Sequence, residues 1–275
     1  MRTRKQVLLS LLALAAWVPA ITLAADGAVA DPGGIVRWSA AGTEACFLHG
    51  DAYPPLGDTC YYPFDLDTPA GSVEVGRRRH GEVELATVRV GDYPYPVQRL
   101  QVERSKVTLS EEDLERVRRE QAMVGALWDR AMAEARFSLP LSDPLTEMPE
   151  PRSFGARRVF NDQPRSPHSG IDLPAETGTP VFAVADGTVA LVGDLFFSGE
   201  SVFVDHGGGL VSMYFHLSEV DVAEGAEVER CQHLGAVGST GRSTGPHLHL
   251  GFRWYGARVD PILLLGKQVM PAIGE

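Results

Sequence analysis

Short segments that alternate apolar and polar residues, separated by glycine-containing turns, dominate the second half of this chain. Residues 179–192 hold two such segments around Asp186-Gly187, and residues 201–217 hold two more around a turn at 206–209. Asp-Gly is a typical two-residue hairpin turn, and a period of two is the side-chain repeat of a strand. The pattern predicts an antiparallel β domain that contains two hairpins.

Strict alternation also predicts which side chains of the last of these segments share a face. One face carries Val211, Met213 and Phe215. The opposite face carries Leu210, Ser212, Tyr214 and His216.

The first half of the chain shows the same β pattern in shorter pieces, followed by one helical segment. Residues 31–107 predict a small β-sandwich-like domain without a cluster of chemically active side chains. Ser110 with Asp113 three residues later resembles a capping box. A helical packing stripe follows it, made of Leu114, Val117, Val124, Leu127, Trp128 and Met132.

These patterns divide the chain into five segments, and the fold class they predict is mainly β. Residues 1–30 are predicted as a signal peptide and residues 31–107 as the N-terminal β domain. Residues 108–152 are predicted as a helix and a proline-rich linker. A C-terminal antiparallel β domain is expected over residues 153–265, and residues 266–275 form a tail.

The N-terminus has the three parts of a secretory signal. Arg2, Arg4 and Lys5 precede an apolar run, and small residues follow with possible cleavage after Ala24, Ala25 or Ala30. The chain is therefore expected to be exported, to the periplasm or alternatively to the medium, without stable membrane insertion after cleavage. The alternative interpretation of the apolar run is an uncleaved membrane anchor. In an exported chain, Cys46 and Cys60 are predicted to form a disulfide, and Cys231 is predicted to be a buried thiol.

The charge of the chain excludes one class of partner. The formal net charge is −11 at pH 7. Nucleic-acid binding requires an excess of basic residues to meet the phosphates, so no nucleic-acid partner is predicted. The sequence does not identify a regulatory protein partner.

Two compact motifs carry metal-binding chemistry. His168, Gly170 and Asp172 are spaced by two, so in a strand they share a face, and His247 and His249 do the same. Two imidazoles and one carboxylate leave a fourth tetrahedral zinc position open, which is typical of a catalytic site. These motifs offer four candidate groups for three ligand positions, so one paired histidine would act with His216 as a proton acceptor or oxyanion donor.

The segments Pro167–Leu173 and Ser243–His249 resemble the two signature motifs of lysostaphin/LytM-type zinc metallopeptidases, and Tyr214–Ser218 resembles an intermediate motif. The string Ser153–Asn161 resembles the sequence of one branch of this family, whose members carry an added N-terminal β domain. The resemblance implies one zinc ion per chain with ligands His168, Asp172 and His249. It also implies His216 and His247 as the catalytic histidines.

The resemblance further implies hydrolysis of peptide cross-links or stems of bacterial peptidoglycan, so peptidoglycan peptides are the expected substrate. Two alternatives are a non-catalytic wall-binding module that activates another hydrolase, and an exported peptidase of glycine-rich peptides. His206 stands in an Asp-His-Gly string and is interpreted as a turn and hydrogen-bonding residue.

Overall fold

The computed structural model describes residues 21–23, 27–100, 109–128, 133–151, 153–164 and 166–274. The described residues form twenty strands and two helices. The strands are β1 Ile21–Leu23, β2 Val29–Ala30, β3 Ile35–Ser39, β4 Thr43–Leu48, β5 Asp51–Tyr53, β6 Thr59–Pro63, β7 Gly71–Arg79, β8 Glu82–Val90, β9 Val97–Leu100, β10 Arg157–Phe160, β11 Gln163–Pro164, β12 Gly170–Pro174, β13 Pro180–Phe182, β14 Gly187–Leu195, β15 Gly199–Asp205, β16 Leu210–Val220, β17 Glu227–Val228, β18 His233–Val237, β19 His247–Trp254 and β20 Ala257–Val259. The helices are α1 Glu111–Gly125 and α2 Pro261–Leu264.

The N-terminal part consists of two small sheets that enclose an apolar core. One sheet has the order β1-β8-β7-β4-β5 with β2 also paired to β8, and β3 pairs with β6 in the other. Buried side chains from both sheets meet between them, among them Val36, Tyr62 and Val88. This arrangement confirms the predicted β-sandwich-like fold of the N-terminal region.

A disulfide joins these two sheets. Cys46 on β4 is bonded to Cys60 on β6, with the Cα atoms 5.5 Å apart, and both residues are fully buried. The predicted pairing is therefore confirmed. The prediction for Cys231 is wrong: this cysteine is exposed and its backbone has φ 66°. A left-handed turn between β17 and β18 holds the residue at the surface, where its backbone N–H bonds to the carbonyl of Ala183.

The C-terminal part is a nine-stranded sheet with the main order β12-β19-β16-β15-β14-β17. The predicted hairpin over residues 201–217 is confirmed, because β15 and β16 pair antiparallel across the turn at 206–209. The predicted hairpin around Asp186-Gly187 is wrong. Strand β13 pairs with β18, while β14 pairs with β15 and β17. The backbone of Ala183 is hydrogen-bonded to Gln232 and Cys231. The segment after β13 therefore pairs with a turn that lies about 50 residues further along the chain, and not with the neighbouring β14.

The two faces of the C-terminal sheet pack against different partners. The main core lies on the face that carries Leu210, Tyr214 and Leu250. The other face carries Phe203, Val211 and Met213, and it packs against Val124 of α1 and Leu127 just after the helix. Helix α1 therefore covers part of the sheet face on which Phe215 also lies.

Helix α1 begins where the sequence predicts. The backbone N–H of Asp113 donates to the Ser110 hydroxyl at 3.1 Å, which is the expected N-cap bond. Of the predicted stripe, Val124, Leu127 and Trp128 belong to the cluster on the sheet, whereas Met132 lies outside the described residues. Among the helices in the described ranges, none is long and apolar enough to cross a bilayer.

The N-terminal and C-terminal parts share apolar and ionic contacts. Ile35 and Leu66 belong to the same buried cluster as the C-terminal sheet. The guanidinium of Arg258 contacts the carboxylates of Asp65 at 2.5 Å and Asp67 at 2.6 Å. Ile273 from the tail is buried in the N-terminal core. The sandwich is therefore attached to the back of the sheet through several independent contacts.

Candidate metal centre

The first motif and the last meet because β12 and β19 are antiparallel neighbours. Asp172 lies directly opposite His249, and Pro174 lies opposite His247. Directly opposite residues in an antiparallel pair project from the same face, so both motifs face the same side of the sheet. His168 precedes β12 by two residues and reaches the same point.

Gly170 allows β12 to lie very close to β19 at this point. A Cβ atom at this position would lie 2.4 Å from the carbonyl oxygen of Leu250 and 2.6 Å from Nε2 of His249. Both distances are far below van der Waals contact. Only glycine allows the strand to pass this close to the His249 ring.

Three donor atoms converge at the centre of the site. Nε2 of His168 lies 2.9 Å from Nδ1 of His249 and 3.0 Å from Oδ1 of Asp172. Nδ1 of His249 lies 3.1 Å from the same carboxylate oxygen. Ligands held about 2.0–2.2 Å from a tetrahedral zinc ion are separated from one another by roughly 3.3–3.6 Å. The spacing of these three atoms is close to that range.

The hydrogen-bond pattern of the triad suits a cation. Nδ1 of His168 lies 3.0 Å from the carbonyl oxygen of Ser153, which can only accept, so this nitrogen carries the proton and Nε2 keeps its lone pair. A single proton can lie between Nε2 of His168 and Nδ1 of His249. A bound metal ion would satisfy both nitrogens and the carboxylate together. The donor set therefore fits a divalent metal such as zinc.

The environment keeps two of these groups in the form that binds metals. Burial alone would raise the pKa of Asp172, but the adjacent imidazoles of His168 and His249 hold it well below its usual value. Burial lowers the pKa of His249 to about 4, although the Asp172 carboxylate opposes this shift. Near neutral pH the first residue is a carboxylate and the second a neutral imidazole, as metal coordination requires.

Two further imidazoles stand beside the triad. The rings of His216 and His247 lie 4.8 Å apart, and Nε2 of His247 is 3.5 Å from Oδ1 of Asp172. In each ring Nδ1 donates to a backbone carbonyl at 2.8 Å, that of Thr240 for His216 and that of Gly245 for His247. Each Nε2 is left free to exchange a proton with a bound molecule.

The position of His216 corrects the prediction from alternation. That prediction placed it on the Tyr214 face, which is the core face. In the structure His216 has a left-handed backbone with φ 64°, and the pairing of β16 with β15 shifts register between Tyr214 and Leu217. Its N–H donates to the carbonyl of Ser198 at 2.8 Å, outside the regular ladder. This irregularity turns the ring toward His247, and such strain is typical of functional residues.

His206 lies outside the site and has the hydrogen-bonding role predicted for it. Its side chain is fully buried, with Nδ1 2.7 Å from the carbonyl oxygen of Asp186 and Nε2 2.7 Å from the hydroxyl of Ser212. Burial lowers the pKa of His206 to about 4. The ring is therefore neutral in the folded protein at physiological pH.

This burial predicts that acid destabilises the fold through His206. Between about pH 6.5, its pKa when unfolded, and about 4 the unfolded chain binds more protons, so the free energy of unfolding falls as pH falls. Over this pH range, the lowered pKa of His206 changes the free energy of unfolding by on the order of 3 kcal/mol. Urea unfolding at about pH 7 and about pH 4.5 should show a smaller difference for His206→Gln than for the parent protein. Equal pH dependence of the two proteins would contradict this account.

Two residues of the site have contacts that the sequence motifs did not assign. Ser153 contacts two members of the triad, and its only sequence signal is its place at the start of the string Ser153–Asn161. Thr240 orients His216 through its backbone carbonyl, which carries no side-chain signal.

Phe215 stacks on the ring of His249 with centroids 5.2 Å apart, consistent with their opposite positions on β16 and β19.

Comparison with known proteins matches this same region. Residues 166–261 match the family model described as Peptidase family M23. Most of the fold resembles the crystal structure of a Pseudomonas aeruginosa protein assigned to peptidase M23. The TM-score is 0.68 at 33% sequence identity, over 86% of this chain and 95% of that one.

Curated relatives match over the sheet that carries the site. The chain is 46% identical over 95 residues to the DD-carboxypeptidase/endopeptidase Mpg of Neisseria meningitidis. It is 40% identical over 98 residues to the peptidoglycan DD-endopeptidase ShyA of Vibrio cholerae. The matches cover 34% and 35% of this chain, and the chain spans 22% and 23% of the lengths of these relatives.

Proposed function

The chain belongs to peptidase family M23, and on that premise we propose that it is a zinc metalloendopeptidase that hydrolyses peptide bonds in bacterial peptidoglycan. One observation carries the proposal: two imidazoles and a carboxylate converge within about 3 Å of one another, with two more imidazoles beside them. The proposed ligands are His168, Asp172 and His249. The substrate class is supported by the peptidase activities for which the Mpg and ShyA relatives are named.

The chemistry divides between the metal and the chain. When bound, zinc would lower the pKa of a water molecule toward about 7 and polarise a carbonyl group. We assign His216 and His247 to proton transfer and to stabilising the carbonyl oxygen as it gains charge, because each presents Nε2 at the site with Nδ1 anchored. Burial lowers the pKa of His216, so this ring is neutral and able to accept a proton near pH 7.

Substitution of the two flanking histidines tests this division. His216→Ala and His247→Ala are each expected to lower the rate of peptide release from purified sacculi by about 10²–10⁴-fold. Zinc content should stay close to that of the parent protein, because neither residue is a proposed ligand. His233→Ala is the matched control, since this histidine is exposed and pairs with Asp221 away from the site. Parent-like digestion by both site variants would remove them from the mechanism.

Zinc content and sacculus digestion also distinguish the proposed hydrolase from the two alternative functions. A protein that holds zinc but leaves sacculi intact, while it binds them, would favour a wall-binding module that activates another hydrolase. A protein that cleaves glycine-rich peptides but not sacculi would favour an exported peptidase of such substrates. The complete set of five side chains supports the hydrolase.

The proposed function requires export, and the periplasm is the compartment we propose. The buried Cys46–Cys60 disulfide supports an oxidising compartment. Ala28 and Ala30 are buried in the N-terminal core, so cleavage after Ala24 or Ala25 keeps that core intact. N-terminal sequencing of protein recovered from the periplasmic fraction tests this proposal. An uncut chain in the cytoplasm would contradict it.

A further inference from the structure

Ser153 contacts two of the proposed ligands through different atoms. Its carbonyl oxygen accepts from Nδ1 of His168 at 3.0 Å, and its hydroxyl donates to Oδ2 of Asp172 at 3.1 Å. The hydroxyl oxygen also lies 3.3 Å from Nδ1 of His168. The first contact fixes the tautomer that presents Nε2 to the metal, and the second leaves Oδ1 of Asp172 facing the two ring nitrogens.

The backbone around Ser153 is tied to the ligand that it orients. The N–H of Gly155 donates to the carbonyl of His168 at 2.8 Å, and the N–H of His168 donates to the carbonyl of Ala156 at 3.0 Å. Ser153 itself has φ 68°, an unfavourable value for a residue with a Cβ atom. Two reciprocal bonds and a strained backbone therefore hold this short segment in one position against His168.

The N-terminal part of the chain holds the same segment from the other side. The ring of Phe154 is buried edge-on against that of Tyr95, with centroids 5.3 Å apart. A Cβ atom on Gly155 would lie 2.3 Å from the Tyr95 ring, so the segment is packed against it without spare room. The hydroxyl of Tyr95 donates to the carbonyl of Pro32 at 2.8 Å. Contacts with the N-terminal part of the chain, outside the nine-stranded sheet, thus help to hold Ser153 in position.

We propose that Ser153 is a positioning residue of the metal centre, whose carbonyl and hydroxyl orient His168 and Asp172 for zinc. The proposal rests on the proposed function, since it concerns the same ligands. Hydrogen-bond partners of metal ligands typically contribute 10–100-fold to metal affinity, because they fix ring orientation and carboxylate rotamer. A side chain that only completed a turn would affect folding stability and leave zinc affinity unchanged.

Two variants that both lose the hydroxyl separate these roles. Ser153→Ala keeps the Cβ atom and the strained backbone, whereas Ser153→Gly relieves the strain at φ 68°. The two are therefore expected to differ in thermal stability without metal. Both should bind Zn²⁺ about tenfold more weakly than the parent protein, because both lack the hydrogen bond to Asp172. Ser39→Ala, which removes an exposed hydroxyl bonded to Thr59, serves as the control.

The measurement is the dissociation constant for Zn²⁺ alone, by competition with a chromophoric chelator, on the full chain. Weaker binding in both variants, independent of their relative stabilities, is the expected result. Parent-like affinity in both would overturn the positioning role while leaving the zinc site in place. Failure of the parent protein itself to bind Zn²⁺ would instead refute the proposed function.

Discussion

Replacing His249 by alanine is expected to abolish both zinc binding and hydrolysis. The side chain is buried at the point where the three donor atoms converge, and its Nδ1 lies within 3.1 Å of the other two. Its removal leaves one imidazole and one carboxylate, too few to hold a zinc ion with catalytic geometry. Because metal polarisation contributes several kcal/mol to the transition state, we expect a loss on the order of 10³-fold or more in sacculus digestion.

The variant needs two accompanying measurements. Zinc per chain, determined by atomic emission, should fall to background in His249→Ala and stay unchanged in the His233→Ala control. Circular dichroism should show that the β fold is retained, since Leu248 and Leu250 still fill the core from the opposite face of β19. A folded His249→Ala protein that digests sacculi at the parent rate would eliminate this residue as a ligand.

Gly170→Ala is expected to produce the largest structural effect of a single added methyl group. The new Cβ atom would lie 2.4 Å from the backbone oxygen of Leu250 and 2.6 Å from Nε2 of His249. Strand β12 would have to move away from β19, or the His249 ring would have to leave the triad. Overpacking against backbone costs about 3 kcal/mol, so both the free energy of unfolding and zinc affinity should fall.

Gly193→Ala is the matched control for this substitution. Gly193 also lies in a strand of the same sheet, but the nearest atom to an added Cβ is in Leu195 at 3.7 Å, which is an ordinary contact. This change should be neutral or slightly stabilising. Urea unfolding of both variants gives the comparison, and equal midpoints for the two would contradict the close-approach argument.

The two halves of the site could be predicted from sequence because the spacing within each motif is local. His168 and Asp172 flank one strand start, and His247 and His249 lie two apart on another strand. Alternation alone then places each pair on one face. The cap of α1 at Ser110 was equally predictable, since it depends on three residues. The resemblance to lysostaphin/LytM-type peptidases is confirmed by membership of family M23.

The errors arose where contacts distant in sequence override the local pattern. Asp186-Gly187 is a dipeptide typical of hairpin turns, but the backbone N–H of Arg230 donates to the Asp186 carboxylate. The strands on either side pair with β18 and β17 instead of with each other. His216 departs from alternation because the pairing of β16 with β15 shifts register between Tyr214 and Leu217. Neither pairing could be derived from residues near it in the chain. The contacts of Ser153 likewise depend on the packing of the segment before β10 against Tyr95 and His168.

Zinc content and sacculus digestion, measured together on the mature protein purified without chelator, decide whether the chain is a zinc peptidase of the cell wall. We expect about one zinc per chain and release of fragments by cleavage of peptide bonds, with both lost on chelation and restored by added Zn²⁺. A protein that binds no zinc and leaves sacculi intact after Zn²⁺ is added would contradict the assignment of a zinc peptidase.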